Sequence, residues 1–207
     1  MNVSTYFSHY SFFTLFGYTW TILAFWLMFS QKGKKLISQP SLVILTGAAL
    51  AISVWLVMRE IHTLTMIAGG LRPLDILLFY GKADIMEFGQ SLGVDGRKNY
   101  IAFQLGKDSL APPAFCCFLM AVYRSFVTSL RVQKVCTGLA FVYIISAFLA
   151  NNLMPLIMLY FPDNRGFFFT MLYSLVPAFD AIKYSMNGIA WLLVISTLAF
   201  QIIVRPR

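Results

Sequence analysis

Long apolar runs divide this chain, and each is close to the length needed to cross a bilayer. A transmembrane helix needs about 20 apolar residues to span a hydrocarbon layer of ~30 Å. Only 12% of the residues are charged, against about 25% in soluble proteins. The sequence therefore predicts an all-α integral membrane protein, a single domain with a bundle of about five transmembrane helices. The predicted spans are residues 11–29, 41–58, 109–130, 135–160 and 189–204.

Residues 59–108 form a long polar interval between the second and third predicted spans. Pro73 and a preceding glycine pair interrupt any helix that continues from the second span. The D-x-x-E spacing that begins at Asp84 is typical of a helix start, and apolar side chains follow it on one face as far as Leu92. A glycine-framed tight turn is predicted at residues 93–96. We expect this interval to be an interfacial cap with a short amphipathic helix.

The segment before the last span is apolar but short. Residues 167–180 are rich in aromatic side chains, yet Pro177 interrupts them, and Asp180 and Lys183 follow. Too few apolar residues precede these charges to cross a bilayer. We therefore expect an interfacial or re-entrant segment here, with a sixth span as the alternative.

The charge balance indicates the partners of the chain. Lys and Arg number 16 and Asp and Glu number 8, which gives a net charge of +8. The basic residues lie mostly at the ends of apolar runs, where they contact lipid headgroups and set orientation. Since no nucleic-acid-binding motif accompanies them, the expected partners are membrane lipids and other membrane-protein subunits, without nucleic acid. A mitochondrial or bacterial inner membrane is the expected location.

The sequence contains no recognisable catalytic, metal-binding or phosphate-binding motif, so no catalytic residue, metal or cofactor is predicted. Proton-coupled carriers generally need an ionisable group near the middle of the membrane. None of the carboxylates lies at the centre of a predicted span. This arrangement disfavours a transporter.

Two sets of polar residues are the candidate sites. One set lies within predicted spans. Its arginine can reach the interface. Its two amides are expected to join helices by hydrogen bonds, and the alternative for them is a polar ligand or conduction site. The other set lies in the polar interval and could dock lipid headgroups or a partner. The first comprises Arg124, Asn151 and Asn152, and the second comprises Arg72, Arg97, Lys98 and Tyr100.

The chain from about Leu71 to Gly188 resembles a pattern in small, uncharacterised multi-pass membrane proteins of the four-helix-bundle type, most specifically from Leu92 to Tyr100. The residues that carry the resemblance are Leu74-Asp75, Tyr80, Leu92-Gly93, Gly96-Arg97, Tyr100, Asp108 and Pro112. Lys183 also fits the pattern. An acidic pair followed by asparagine belongs to it as well, but this chain has Phe148, Asn151 and Asn152 there. The resemblance implies a four-helix scaffold with residues 11–29 as an addition, and it implies no reaction.

These observations favour a non-catalytic accessory or structural subunit of a larger membrane complex, of the respiratory or energy-transducing type. The alternatives are a membrane enzyme that acts on lipid through Arg97, Lys98 and Tyr100, and a small-solute transporter through Asn151 and Asn152. An enzyme is the less favoured class.

Overall fold

The structure, a computed structural model, describes residues 39–163 and 165–204, together with positions 19, 20, 22, 23 and 26. Most of the predicted first span, residues 11–29, therefore lies outside the described residues. The described chain is helical, and no β-strand occurs within it. Its α-helices are α1 Gln39–Ile67, α2 Lys82–Ser91, α3 Gly93–Leu105, α4 Ala111–Phe126, α5 Leu130–Leu159 and α6 Phe167–Val204.

Four helical segments of the described chain are long and apolar enough to cross a membrane, which is compatible with a multi-pass membrane protein. They are Pro40–Ile67, Gly93–Phe126, Leu130–Leu159 and Phe167–Ile203. α4 is the second half of the segment Gly93–Phe126, and it begins at Ala111, two residues after the predicted start of the third span. Its prolines occupy the first helical positions, where a missing backbone N–H costs nothing.

Within the polar interval, α1 ends and α2 begins, with a short turn between them. α1 continues through Ile67, and Gly69 and Gly70 then adopt positive φ angles of 65° and 96°, which glycine tolerates. A 3₁₀ turn at Leu74–Ile76 leads to α2, so the predicted amphipathic helix is present. The predicted tight turn at residues 93–96 is wrong, because these residues form the first turn of α3.

The prediction of a re-entrant segment at residues 167–180 is also wrong in its local structure. α6 is one continuous helix of 38 residues from Phe167 to Val204, and Pro177 lies inside it. The charges that were expected to end the segment, Asp180 and Lys183, lie three residues apart and pair with each other at 2.5 Å. Because each charge has a partner, the helix carries both through an apolar environment.

Two hydrophobic clusters fill the bundle, and polar residues separate them. The upper cluster joins the end of α1, the polar interval, the end of α5 and the start of α6, and includes Leu64, Phe88 and Tyr100. The lower cluster joins the start of α1 to α4 and to the remaining halves of α5 and α6. Between them along the helices lie the buried polar residues Asp75, Gln104, Asp108, Ser109, Asn151, Asp180 and Lys183, which we call the polar layer.

Candidate functional site

Asp75 is the most extensively bonded carboxylate of the polar layer. The 3₁₀ turn at Leu74–Ile76 places it against α3, where the Tyr100 hydroxyl donates to its Oδ2 at 2.9 Å. The Gln104 amide donates to its Oδ1 and to the Tyr100 hydroxyl oxygen. The Tyr184 hydroxyl of α6 donates to the Asp75 backbone carbonyl. Asp75 therefore ties the 3₁₀ turn at Leu74–Ile76 to both α3 and α6.

The second carboxylate, Asp180, carries the charge pair of the site. Its Oδ1 lies 2.5 Å from the Lys183 ammonium, and its Oδ2 accepts a hydrogen bond of 2.5 Å from the Tyr80 hydroxyl. The Lys183 Nζ also lies 5.0 Å from the centre of the Tyr184 ring, a cation–π distance. Asp180 and Lys183 are both buried, whereas Tyr80 is only half-buried. Tyr80 thus joins the buried pair to the surface of the protein.

The third carboxylate, Asp108, lies in the 3₁₀ turn Asp108–Leu110 that separates α3 from α4. The Asn151 amide of α5 donates to its Oδ2 at 2.6 Å. The neighbouring Ser109 hydroxyl donates to the Gln104 backbone carbonyl at 2.8 Å. The break between α3 and α4 therefore presents polar side chains to the interior instead of to water.

Burial favours the neutral form of Asp75 and Tyr80, which lie between α1 and α2. Desolvation raises the pKa of the Asp75 carboxyl, and the negative charge of Asp180 raises it further. Lys183 and the two hydrogen bonds to its carboxylate act in the opposite direction. Burial, followed by the charge of Asp180, likewise raises the pKa of the Tyr80 hydroxyl. Asp75 therefore holds a proton more readily than an exposed aspartate does.

The predicted docking set of the polar interval does not form one site. Tyr100 is fully buried under Phe88, with ring centres 5.2 Å apart, so it cannot reach lipid headgroups. Arg97 donates to the Gly89 carbonyl at 2.9 Å and lies over the Phe161 ring, and exposed Lys98 pairs with Asp95 at 2.8 Å. Arg72 is exposed beside a separate groove near α2.

The predicted intramembrane set is also divided. Asn151 is buried in the polar layer and bonds to Asp108, which is the predicted role of an amide that joins helices. Asn152 is half-buried and donates to the Phe148 carbonyl of its own helix at 2.7 Å. Arg124 lies in the last turn of α4, away from both amides along the chain.

Sequence reasoning missed the polar layer as a set. It placed no carboxylate within a confident span, yet Asp108 and Asp180 lie inside two of the four segments long enough to cross a membrane. The signal that could have found the layer is the resemblance pattern. It includes Asp75, Tyr80, Tyr100 and Asp108, and Lys183 fits it. Those positions, scattered over more than half of the chain, meet in one interior site.

Comparisons with known protein families, with characterised proteins and with solved structures find no match to this chain. Within the described residues, no group of three His, Cys, Asp or Glu side chains is arranged to hold a metal ion.

Proposed function

We propose that the four long helical segments cross a membrane and that the polar layer lies near one of its faces. Below the layer, residues 41–58, 135–150 and 184–204 contain no Asp, Glu, Lys or Arg. At 1.5 Å per residue these stretches are roughly 24–32 Å long, which matches the ~30 Å hydrocarbon layer. The upper hydrophobic cluster, with α2 and α3, then covers the polar layer from the aqueous side.

We further propose that the protein is a proton-coupled membrane transporter, in which the polar layer is the proton-binding site and lies near one face of the membrane instead of at the middle, where such sites generally lie. The observation that carries this proposal is that Asp75, Asp108 and Asp180 share a buried layer with one lysine, Lys183. Three ionised carboxylates and one ammonium would leave two uncompensated negative charges in an apolar interior, which is very costly. Bound protons remove that cost.

The hydrogen bonds of the layer support proton exchange. Tyr80 is half-buried and donates to Asp180, so a hydrogen bond connects a partly exposed side chain to this buried carboxylate. Gln104 Oε1 and Asn151 Oδ1 are buried acceptors without a donor in the described structure. A protonated carboxyl has an O–H to donate, and a carboxylate has none. Gain or loss of a proton would therefore rearrange two sets of hydrogen bonds. One joins the 3₁₀ turn at Leu74–Ile76 to α3 and α6, and the other joins Asp108 to α5.

Vesicle measurements test this proposal. We expect vesicles that contain the purified protein and a trapped pH-sensitive dye to change internal pH when pools of sugars, amino acids, organic acids or inorganic ions are added outside. Asp180→Asn should reduce the response to that of empty vesicles, because it removes the carboxylate bonded to both Tyr80 and Lys183. Asp95→Asn, at an exposed pair, is the matched control. A wild-type response no faster than that of empty vesicles for every pool would contradict the proposal.

The accessory-subunit hypothesis is a second candidate, and the exposed side of α6 favours it. Leu192, Ile195 and Phe200 are each about 60% exposed on the described chain, and another membrane subunit could pack against them as well as lipid. After extraction in mild detergent, native electrophoresis should then show a particle much larger than the 23.4 kDa chain, with Phe200→Ala reducing its size. Migration only as a monomer or small homo-oligomer would exclude this candidate and leave the transporter proposal standing.

A further inference from the structure

A groove of about 440 Å³ opens on the outside of the bundle between α1 and α3. Its volume lies within the roughly 300–1,000 Å³ of small-ligand sites. It is separate from the polar layer, since none of its lining residues belongs to that layer. The lining residues are Glu60, Thr63, Leu64, Ile67, Asn99, Ala102, Phe103, Gly106 and Lys107.

The groove combines an apolar wall with one charge of each sign. Leu64 and Phe103 are buried and Ile67 is partly exposed, which provides the apolar wall. At one end the Lys107 ammonium pairs with the Glu60 carboxylate, 47 residues away in sequence. Both charged side chains remain partly exposed, 36% for Lys107 and 27% for Glu60. A ligand can therefore reach both charges from the groove.

The position of Glu60 along α1 fixes the depth of the groove in the proposed membrane. About 30 Å of helix separates Pro40 from Glu60 at 1.5 Å per residue, and residues 41–58 carry no charge. If α1 crosses the membrane, Glu60 and Lys107 lie where the hydrocarbon layer ends and lipid headgroups begin.

We propose that this groove binds the headgroup of phosphatidylethanolamine. The lipid phosphate would pair with Lys107 and its terminal ammonium with Glu60, so that both charges of the site face an opposite charge of the ligand. The headgroup would occupy the Glu60 end of the groove, because the other α1 residues of the lining, Thr63, Leu64 and Ile67, lie on the aqueous side of Glu60. The acyl chains would leave the groove at this end and follow the uncharged surface of α1 below Glu60. Ethanolamine fits better than choline, because a primary ammonium donates hydrogen bonds to a carboxylate and a quaternary one has no N–H. The inference requires the membrane placement proposed above and does not require proton transport.

Lipid retention tests the headgroup contacts. Purified protein is mixed with detergent micelles that contain equal amounts of phosphatidylethanolamine, phosphatidylcholine and phosphatidylglycerol, and bound lipid is measured by native mass spectrometry. We expect a preference for phosphatidylethanolamine. Glu60→Gln and Lys107→Met should each lower its retention by about tenfold, as loss of roughly one charged contact predicts. Asp95→Asn, at an ion pair outside the groove, should leave retention unchanged.

A charge-swapped variant separates lipid binding from a purely structural ion pair. Glu60→Lys combined with Lys107→Glu restores the pair, so thermal stability should return to that of the wild type. Retention should not return, because the phosphate is fixed next to the glycerol and the ammonium is at the far end of the headgroup. Retention by the swapped variant, or equal retention of all three lipids by the wild type, would overturn the proposal. The wild-type comparison decides the matter even if a variant does not fold.

Discussion

Lys183→Met is expected to lower the free energy of unfolding by about 3–5 kcal/mol, the usual effect of removing one partner of a buried ion pair. Methionine has a similar length and no charge. It would deprive Asp180 of the ammonium at 2.5 Å, so that Asp180 must either stay charged in an apolar interior or take up a proton, and each costs free energy. Denaturant titration of the protein in micelles, followed by tryptophan fluorescence, measures the change.

Two further variants show whether the loss arises from the unpaired charge. Asp180→Asn combined with Lys183→Met removes both members of the pair, and it should recover much of the lost stability because no uncompensated charge remains. Lys82→Met is the matched control, since Lys82 is exposed and its ammonium lies over the face of the Tyr173 ring at 5.2 Å. We expect the control to cost about 1 kcal/mol or less. If Lys183→Met costs no more than the control, Lys183 is not the counter-ion of the layer.

Gly96→Val is the second substitution with a large expected effect. A Cβ atom at Gly96 would lie 2.8 Å from Ile67 Cγ2 and 3.1 Å from Leu92 Cβ, where there is no room for it. Ile67 is the last residue of α1 and Leu92 directly precedes α3, so the start of α3 would have to move relative to both. We expect a loss of about 1–3 kcal/mol or more, the range for overpacked sites, in the same titration.

Gly138→Val is the control for this overpacking. Gly138 also lies within a helix, α5, but a Cβ atom there meets no other atom within 4 Å. Its substitution should change stability little. Ile67→Ala in the Gly96→Val background should recover part of the loss, because it removes the closest obstructing atom. Equal effects at both glycines would mean that the contact between α1 and α3 does not constrain the fold.

Much of the helical architecture could be predicted from the sequence, because local signals determine it. The apolar runs at residues 41–58 and 135–160 correspond to α1 and α5, although α1 continues nine residues beyond its run and α5 begins five residues before its run. The amphipathic pattern from Asp84 to Leu92 also predicted α2, although the helix begins two residues earlier, at Lys82. Asp84 is therefore the third helical residue and not the helix start, and its carboxylate accepts a hydrogen bond from the Gly81 N–H at 2.8 Å. Capping and apolar periodicity act within a few residues, so one sequence suffices to detect them.

The candidate site could not be predicted in the same way. Hydropathy counts each charged residue as a cost for a membrane span, whatever its partner is. Asp180 and Lys183 were therefore assigned to the end of a short segment, although they offset each other's cost inside α6. The contacts of Asp75 with Tyr100 and Gln104 join residues 25 and 29 positions apart, and Tyr80 reaches Asp180 over 100 positions.

The sequence by itself determined that this chain is helical, apolar enough for a membrane and interrupted by an ordered polar interval, since these properties follow from composition and local spacing. Only the tertiary structure decided that the interval folds back onto the bundle and that its Asp75 joins Asp108, Asp180 and Lys183 in one buried layer. The physical reason is that burial of a charge is tolerable only beside its partners, and the partners come from helices distant in sequence.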